Sequence, residues 1–166
     1  MKKIMLDTNI YGLMISEYGK NVHDAIHISE NLIICGCTVI RKELRATNRN
    51  VEGINLRMNL LRVYDDLVKT TYEIDDKTSV LAHQYFVAYQ KLGGMRPEGI
   101  IMNDFLIVAC ASCKQLDIVV SHDKRTMLGD NAIRAYELIN QSQNIRLPRF
   151  IGYDGFKNEL KKQISE

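Results

Sequence analysis

Four acids stand where their neighbours make them informative: Asp7, Glu43, Asp104 and Asp123. Asp7 closes the apolar run Ile4-Met5-Leu6, and Asp123 closes a second one, "DIVVSH". Asp104 opens "NDFLIVACASC", which is apolar on nearly every side, and Glu43 stands in "TVIRKEL" after a third apolar run, "LIIC". Carboxylates massed together repel one another unless a cation neutralises them. Mg²⁺ suits such a set, because it is hard and prefers oxygen ligands, and Mn²⁺ shares that preference. A metal so held lowers the pKa of its water and stabilises charge on a phosphodiester in the transition state. Metal-assisted phosphodiester hydrolysis is the chemistry these residues suggest, provided that the fold gathers them.

Taken singly, each acid has a plainer role. Asp7 would cap the first helix, and Asp104 or Asn103 would cap another. Glu43 would be a solvated acid among Arg41, Lys42 and Arg45, and Asp123 a turn residue before Lys124. The ordered set points to a site, not any one member.

The elements that must position them alternate along the chain. Short apolar strands are expected at 4–6, 31–36 and 117–123, with an ancillary or edge strand at 69–74 and a last one at 149–153. Helical patterns fill the rest: about 10–29 with a break near Gly19, a helix capped by Thr38, then 51–68, 75–92, 103–116, 131–140 and 156–164. Gly93-Gly94 ends the 75–92 pattern, and the 103–116 pattern is apolar enough to be deeply buried. This alternation means an α/β domain with a mainly parallel central sheet. Such sheets bind ligands outside the carboxyl ends of their strands. Asp7 and Asp123 would face one crevice if their strands are neighbours.

With those elements in place, the chain resembles a PIN domain, the three-layer α/β/α fold of metal-dependent ribonucleases that includes VapC-type toxins. "IMLDTNI" resembles the first motif of that family, "TVIRKEL" the second, "NDFLIVACA" the third and "IVVSHDKRTM" the fourth. The resemblance spans roughly the first 130 residues and leaves a C-terminal strand and helical tail at 145–166. It implies that Asp7, Glu43, Asp104 and Asp123 surround Mg²⁺ or Mn²⁺. It implies that Asn9, Ser121 and Thr8 hydrogen-bond those carboxylates or the metal's waters. The implied reaction is hydrolysis of RNA by metal-activated water. The implied partners are a cognate antitoxin and a second copy of the chain. Met127 departs from the family, which often has a bulky aromatic there. The 51–92 region is long for a compact toxin.

The 166 residues suit one domain with a sizeable core, from 1 to 166. A net charge of +2 is too small to identify a nucleic-acid binder, so local clusters matter more. Lys124 and Arg125 would flank the cleft, and Arg45 belongs to a cluster with Arg41, Lys42 and Arg49 beside Glu43. These are the candidate phosphate contacts, which supply affinity but little sequence information. The basic tail reads as a solvated face.

No apolar stretch is long enough to span a bilayer, and Asp7 interrupts the first apolar run too early for a secretion signal. A soluble cytoplasmic protein is expected. Cys35, Cys37, Cys110 and Cys113 read as small core residues, because C-x-C is poor zinc spacing and C-x-x-C within a helix lacks the knuckle turn. His23 and His27 have metal-ligand spacing on a helix, but with no third ligand in view they read as surface histidines, and His83 has no partner in view, so no histidine is assigned a role.

The leading expectation is a metal-dependent endoribonuclease acting as the toxin of a toxin–antitoxin pair. A PIN nuclease of RNA processing and a non-catalytic RNA-binding module are the alternatives. A dehalogenase-type phosphatase would want a second Asp two residues after Asp7, where Asn9 stands instead.

Overall fold

The computed structural model of the chain describes residues 1–16, 20–48, 50 and 55–164. Five strands form one sheet in the order β3-β2-β1-β4-β5. They are β1 (Lys2–Leu6), β2 (Leu32–Cys37), β3 (Val68–Tyr72), β4 (Ile118–Val120) and β5 (Arg149–Ile151). Every pairing is parallel. β1 lies in the middle, with Met5 opposite Cys35 on one side and Val119 on the other. Its residues Ile4, Met5 and Leu6 are completely buried, as a strand covered on both faces requires.

Eight helices connect and cover the strands among the described residues: α1 (Thr8–Ser16), α2 (Lys20–Ile28), α3 (Thr38–Ala46), α4 (Leu56–Leu67), α5 (Asp76–Lys91), α6 (Glu98–Cys113), α7 (Asp130–Ser142) and α8 (Tyr153–Ile164). From β1 the chain winds outward to β2 and β3, then returns across the sheet to β4 and β5. Right-handed crossovers therefore put α1 to α4 on one face and α5 to α7 on the other. The packing agrees: α5 lies against α6 and α7, and α8 closes against α2. This is the PIN-like three-layer α/β/α arrangement. The sheet reverses its winding beside β1, and that reversal opens a crevice at the carboxyl ends of β1 and β4.

Local chemistry fixes several boundaries. Asp75 caps α5 by accepting from the Thr78 amide at 2.8 Å. Gly93, at φ 90°, takes the left-handed conformation that ends this helix. Gly36 lets Tyr64 press against β2, since an added Cβ would meet the Tyr64 hydroxyl at 2.1 Å. Phe105 on α6 is completely buried among Tyr85, Tyr89 and Tyr136. Those edge-on contacts anchor the helix that carries Asp104.

Some sequence boundaries need correcting. α6 starts at Glu98 behind Pro97, so Asn103 and Asp104 lie in its second turn and cap nothing. The polar flank "RPEGIIMN" hides that start. Thr38 is the first residue of α3, not its cap, and Cys37 takes the cap position. β4 stops at Val120, three residues before Asp123. The Gly19 break, Arg49 and residues 51–54 fall outside the described residues. No described helix is long and apolar enough to cross a membrane.

Candidate metal centre

Asp7 follows directly from β1, and its side chain turns into the crevice instead of capping α1. Its Oδ2 accepts from Ser121 Oγ at 2.7 Å and from Asn9 Nδ2 at 2.7 Å, and its Oδ1 accepts from the Thr8 amide at 2.7 Å. Ser121 can reach across because β1 and β4 are paired neighbours. Asn9 ties the loop after β4 to α1 by accepting from the His122 amide at 3.1 Å. Asp7 is only 4% exposed. Burial pushes its carboxyl up to about 6 against those hydrogen bonds, and Glu43 and Asp123 add repulsion.

Asp104 projects from the second turn of α6 into the same crevice and is half-buried. Burial pushes its carboxyl up to about 7, opposed by the Thr126 hydroxyl and reinforced by Asp7, Asp123 and Glu43. Glu43 comes from α3. Its two oxygens accept from Thr8 Oγ1 and, at 2.8 Å, from Asn103 Nδ2. It is thus held by α1 and α6, not solvated among its basic neighbours.

Asp123 sits in the turn after β4 and is also that turn's organiser. Its Oδ1 accepts from the Arg125 and Thr126 amides at 2.7 and 3.0 Å, and its Oδ2 from Thr126 Oγ1 at 2.6 Å. Partial burial raises its carboxyl, but these hydrogen bonds, with the Arg125 charge, win and hold it below the usual carboxylate range.

The four acids therefore come from four segments of the chain and feel one another's charge. No lysine or arginine among the described residues forms an ion pair with any of them. No three of them bring ligand oxygens within 4.8 Å of one another. An oxygen-only, net-negative set of this kind fits a hard divalent cation that keeps part of its water shell, and it does not fit a soft or borderline ion.

The rim is basic. A cleft of about 490 Å³ is lined by Asn9, His122, Asp123, Lys124 and Arg125. Arg45 is exposed in the last turn of α3. Arg41 is engaged elsewhere, its guanidinium gripping both oxygens of Asp65. In the tail Arg146 pairs with Asp117, and Arg149 with Glu159. All four cysteines are free, and Cys35, Cys37 and Cys110 are buried, as core residues should be.

Two contributors escape a reading of the sequence. Asn103 looks like a helix cap but orients Glu43, and Thr126 holds Asp123. The only hint in the chain is that each lies within three residues of an acid already singled out.

No family model matches the chain, and no curated protein matches it in sequence. Solved structures do match in fold. VapBC2 from Rickettsia felis, bound to a promoter DNA fragment, superposes with a TM-score of 0.62 at 13% identity, covering 91% of this chain and 98% of that one. DNA-bound VapBC from Salmonella typhimurium gives 0.60 at 15%, covering 92% and 98%. VapBC-1 from nontypeable Haemophilus influenzae gives 0.60 at 13%, covering 92% and 98%. At these identities the likeness is one of fold, and it bears out the PIN-like architecture expected from the four motifs.

Proposed function

We propose that the protein is a divalent-metal-dependent endoribonuclease and the toxin of a toxin–antitoxin pair. One observation carries the reading: four carboxylates from separate elements lie close enough beside β1 and β4 to feel one another's charge, and no lysine or arginine among the described residues forms an ion pair with any of them. Structural economy would not retain Asp7 and Asp104 there, because both resist ionising.

In this reading Asp7, Asp104, Glu43 and Asp123 hold Mg²⁺ or Mn²⁺. Once bound, the ion supplies a water of lowered pKa and a counter-charge for the phosphodiester. The rest falls to the chain's own residues. Ser121 and Asn9 fix Asp7, and Thr8 and Asn103 fix Glu43, so that the carboxylates face the crevice before substrate arrives. Lys124 and Arg125 on the rim, with Arg45, contact RNA phosphates and offset the repulsion between the acids and the nucleic acid. Asp7 and Asp104 can hold a proton near neutral pH while the site is free of metal.

The partners follow the solved structures that share the fold, which are VapBC toxin–antitoxin complexes. We assign this chain an antitoxin protein and a second copy of itself. The test is cleavage of a mixed RNA pool by wild type and Asp104→Asn, with Mg²⁺, Mn²⁺ or EDTA. Cleavage that needs metal and Asp104 is expected. Intact RNA with metal bound to wild type would remove the ribonuclease reading.

A further inference from the structure

A second set of metal-ligating side chains lies on α2 and α4, neither of which lines the cleft. His23 and His27 are one helical turn apart, so both rings leave the same face of the helix. Their rings meet edge to face with centroids 4.6 Å apart. Asp66, near the end of α4, completes the set. Its Oδ2 lies 2.6 Å from His23 Nε2 and 3.0 Å from His27 Nε2. This is the one group of at least three such side chains, among the described residues, whose ligand atoms all lie within 4.8 Å of one another.

We infer that His23, His27 and Asp66 form a surface site for a zinc-class divalent ion, which clamps α2 to α4. Two imidazole nitrogens and a carboxylate oxygen suit Zn²⁺ and disfavour Mg²⁺. Tetrahedral bonds of about 2.0–2.1 Å place ligand atoms about 3.3 Å apart, so Asp66 must part from His27 by roughly 0.3 Å and from His23 by roughly 0.7 Å. Both Nε2 atoms already face Asp66, and Asp24 stands 3.8 Å from Nδ1 of His23. A carboxylate on that side favours the tautomer that leaves Nε2 free to ligate. A cavity of about 90 Å³ opens beside His27, also lined by Lys69 and by Ser29, whose buried hydroxyl has no hydrogen-bond partner among the described residues.

The site stands apart from the cleft reading and is tested without cleavage. The full chain is stripped with EDTA, the chelator is removed, and Zn²⁺ or Co²⁺ is titrated in by calorimetry. Co²⁺ absorption reports the ligand field. The Asp104→Asn background weakens binding in the cleft. That protein should take up one Zn²⁺ at the outer site, and its melting temperature should rise by roughly 5–10 °C at about a hundredfold excess over Kd. His27→Ala and, separately, Asp66→Asn in that background should each weaken Zn²⁺ binding tenfold or more, with the metal-free far-ultraviolet dichroism unchanged. Zn²⁺ affinity that survives both changes, or no uptake at micromolar Zn²⁺, would overturn the site and leave plain His–Asp hydrogen bonds. Mg²⁺ should leave the Co²⁺ spectrum unaltered, and displacement by Mg²⁺ would equally overturn it.

Discussion

Asp7 and Asp66 each meet two polar side chains of neighbouring segments, yet they carry charge under opposite conditions. Asp7 is 4% exposed at the heart of the sheet, and burial raises its carboxyl to about 6. The Asp66 side chain is 53% exposed on an outer helix, and two histidines hold it below the usual range. Around Asp7 the neighbouring ionisable groups are further acids, whereas around Asp66 they are mainly bases. The cleft therefore offers a cation only oxygen donors, and its acids are not ion-paired to any lysine or arginine among the described residues. The outer cluster already holds partial compensation and offers nitrogen. Burial sets how costly an uncompensated charge is, and donor type sets which ion relieves it.

The sharpest way to break this contrast is Asp7→Asn. RNA cleavage should fall by on the order of a hundredfold or more, read by product formation on a gel. The same variant should keep wild-type Zn²⁺ affinity at the outer cluster. Loss of both would mean that the two regions are one cooperative unit.

Acidity provides the second test. The raised carboxyls of Asp7 and Asp104 bind protons more tightly in the folded than in the unfolded chain. Their ionisation therefore costs stability as pH rises from the unfolded value near 3.8 through about 6 for Asp7 and about 7 for Asp104. Metal-free protein should be less stable at pH 7.5 than at pH 5, on the order of 1–3 kcal/mol by urea denaturation. Saturating Mg²⁺ or Mn²⁺ should shrink that loss, and Asp104→Asn should remove about half of it. A stability that rises over this range would contradict the description of the cleft.

A smaller effect is expected from Asn103→Ala. Glu43 would lose its contact with α6 and keep the one with Thr8, so cleavage should drop roughly tenfold at saturating metal. An unchanged rate would show that Asn103 is dispensable for placing Glu43. Smallest of all, Lys124→Ala or Arg125→Ala should weaken binding of single-stranded RNA evenly across sequences. Each should lower the salt slope of log K by about 0.7. A change confined to one sequence would instead make that residue a base reader.

Much of the cleft was legible in the chain because its parts are local signals. An apolar strand that ends on Asp7, a buried helix bearing Asp104 and a Ser121-x-Asp123 turn each announce themselves within about ten residues. The parallel sheet was legible for the same reason, since its strands are short continuous apolar runs. Where boundaries slipped, local polarity misled: the polar flank of α6 concealed one further turn, and Asp123 belonged to a turn rather than to β4.

The sequence by itself determined which side chains could bear charge, which segments had to be buried, and so the α/β class. Only the tertiary structure decided which of those charges meet. Asn103 reaches Glu43 because α6 and α3 come together at the crevice, 60 positions apart in the chain. Asp66 reaches His27 because α4 packs on α2, 39 positions away. No periodicity encodes such a meeting. It follows from the strand order around β1 and from the helix faces that burial turns toward one another.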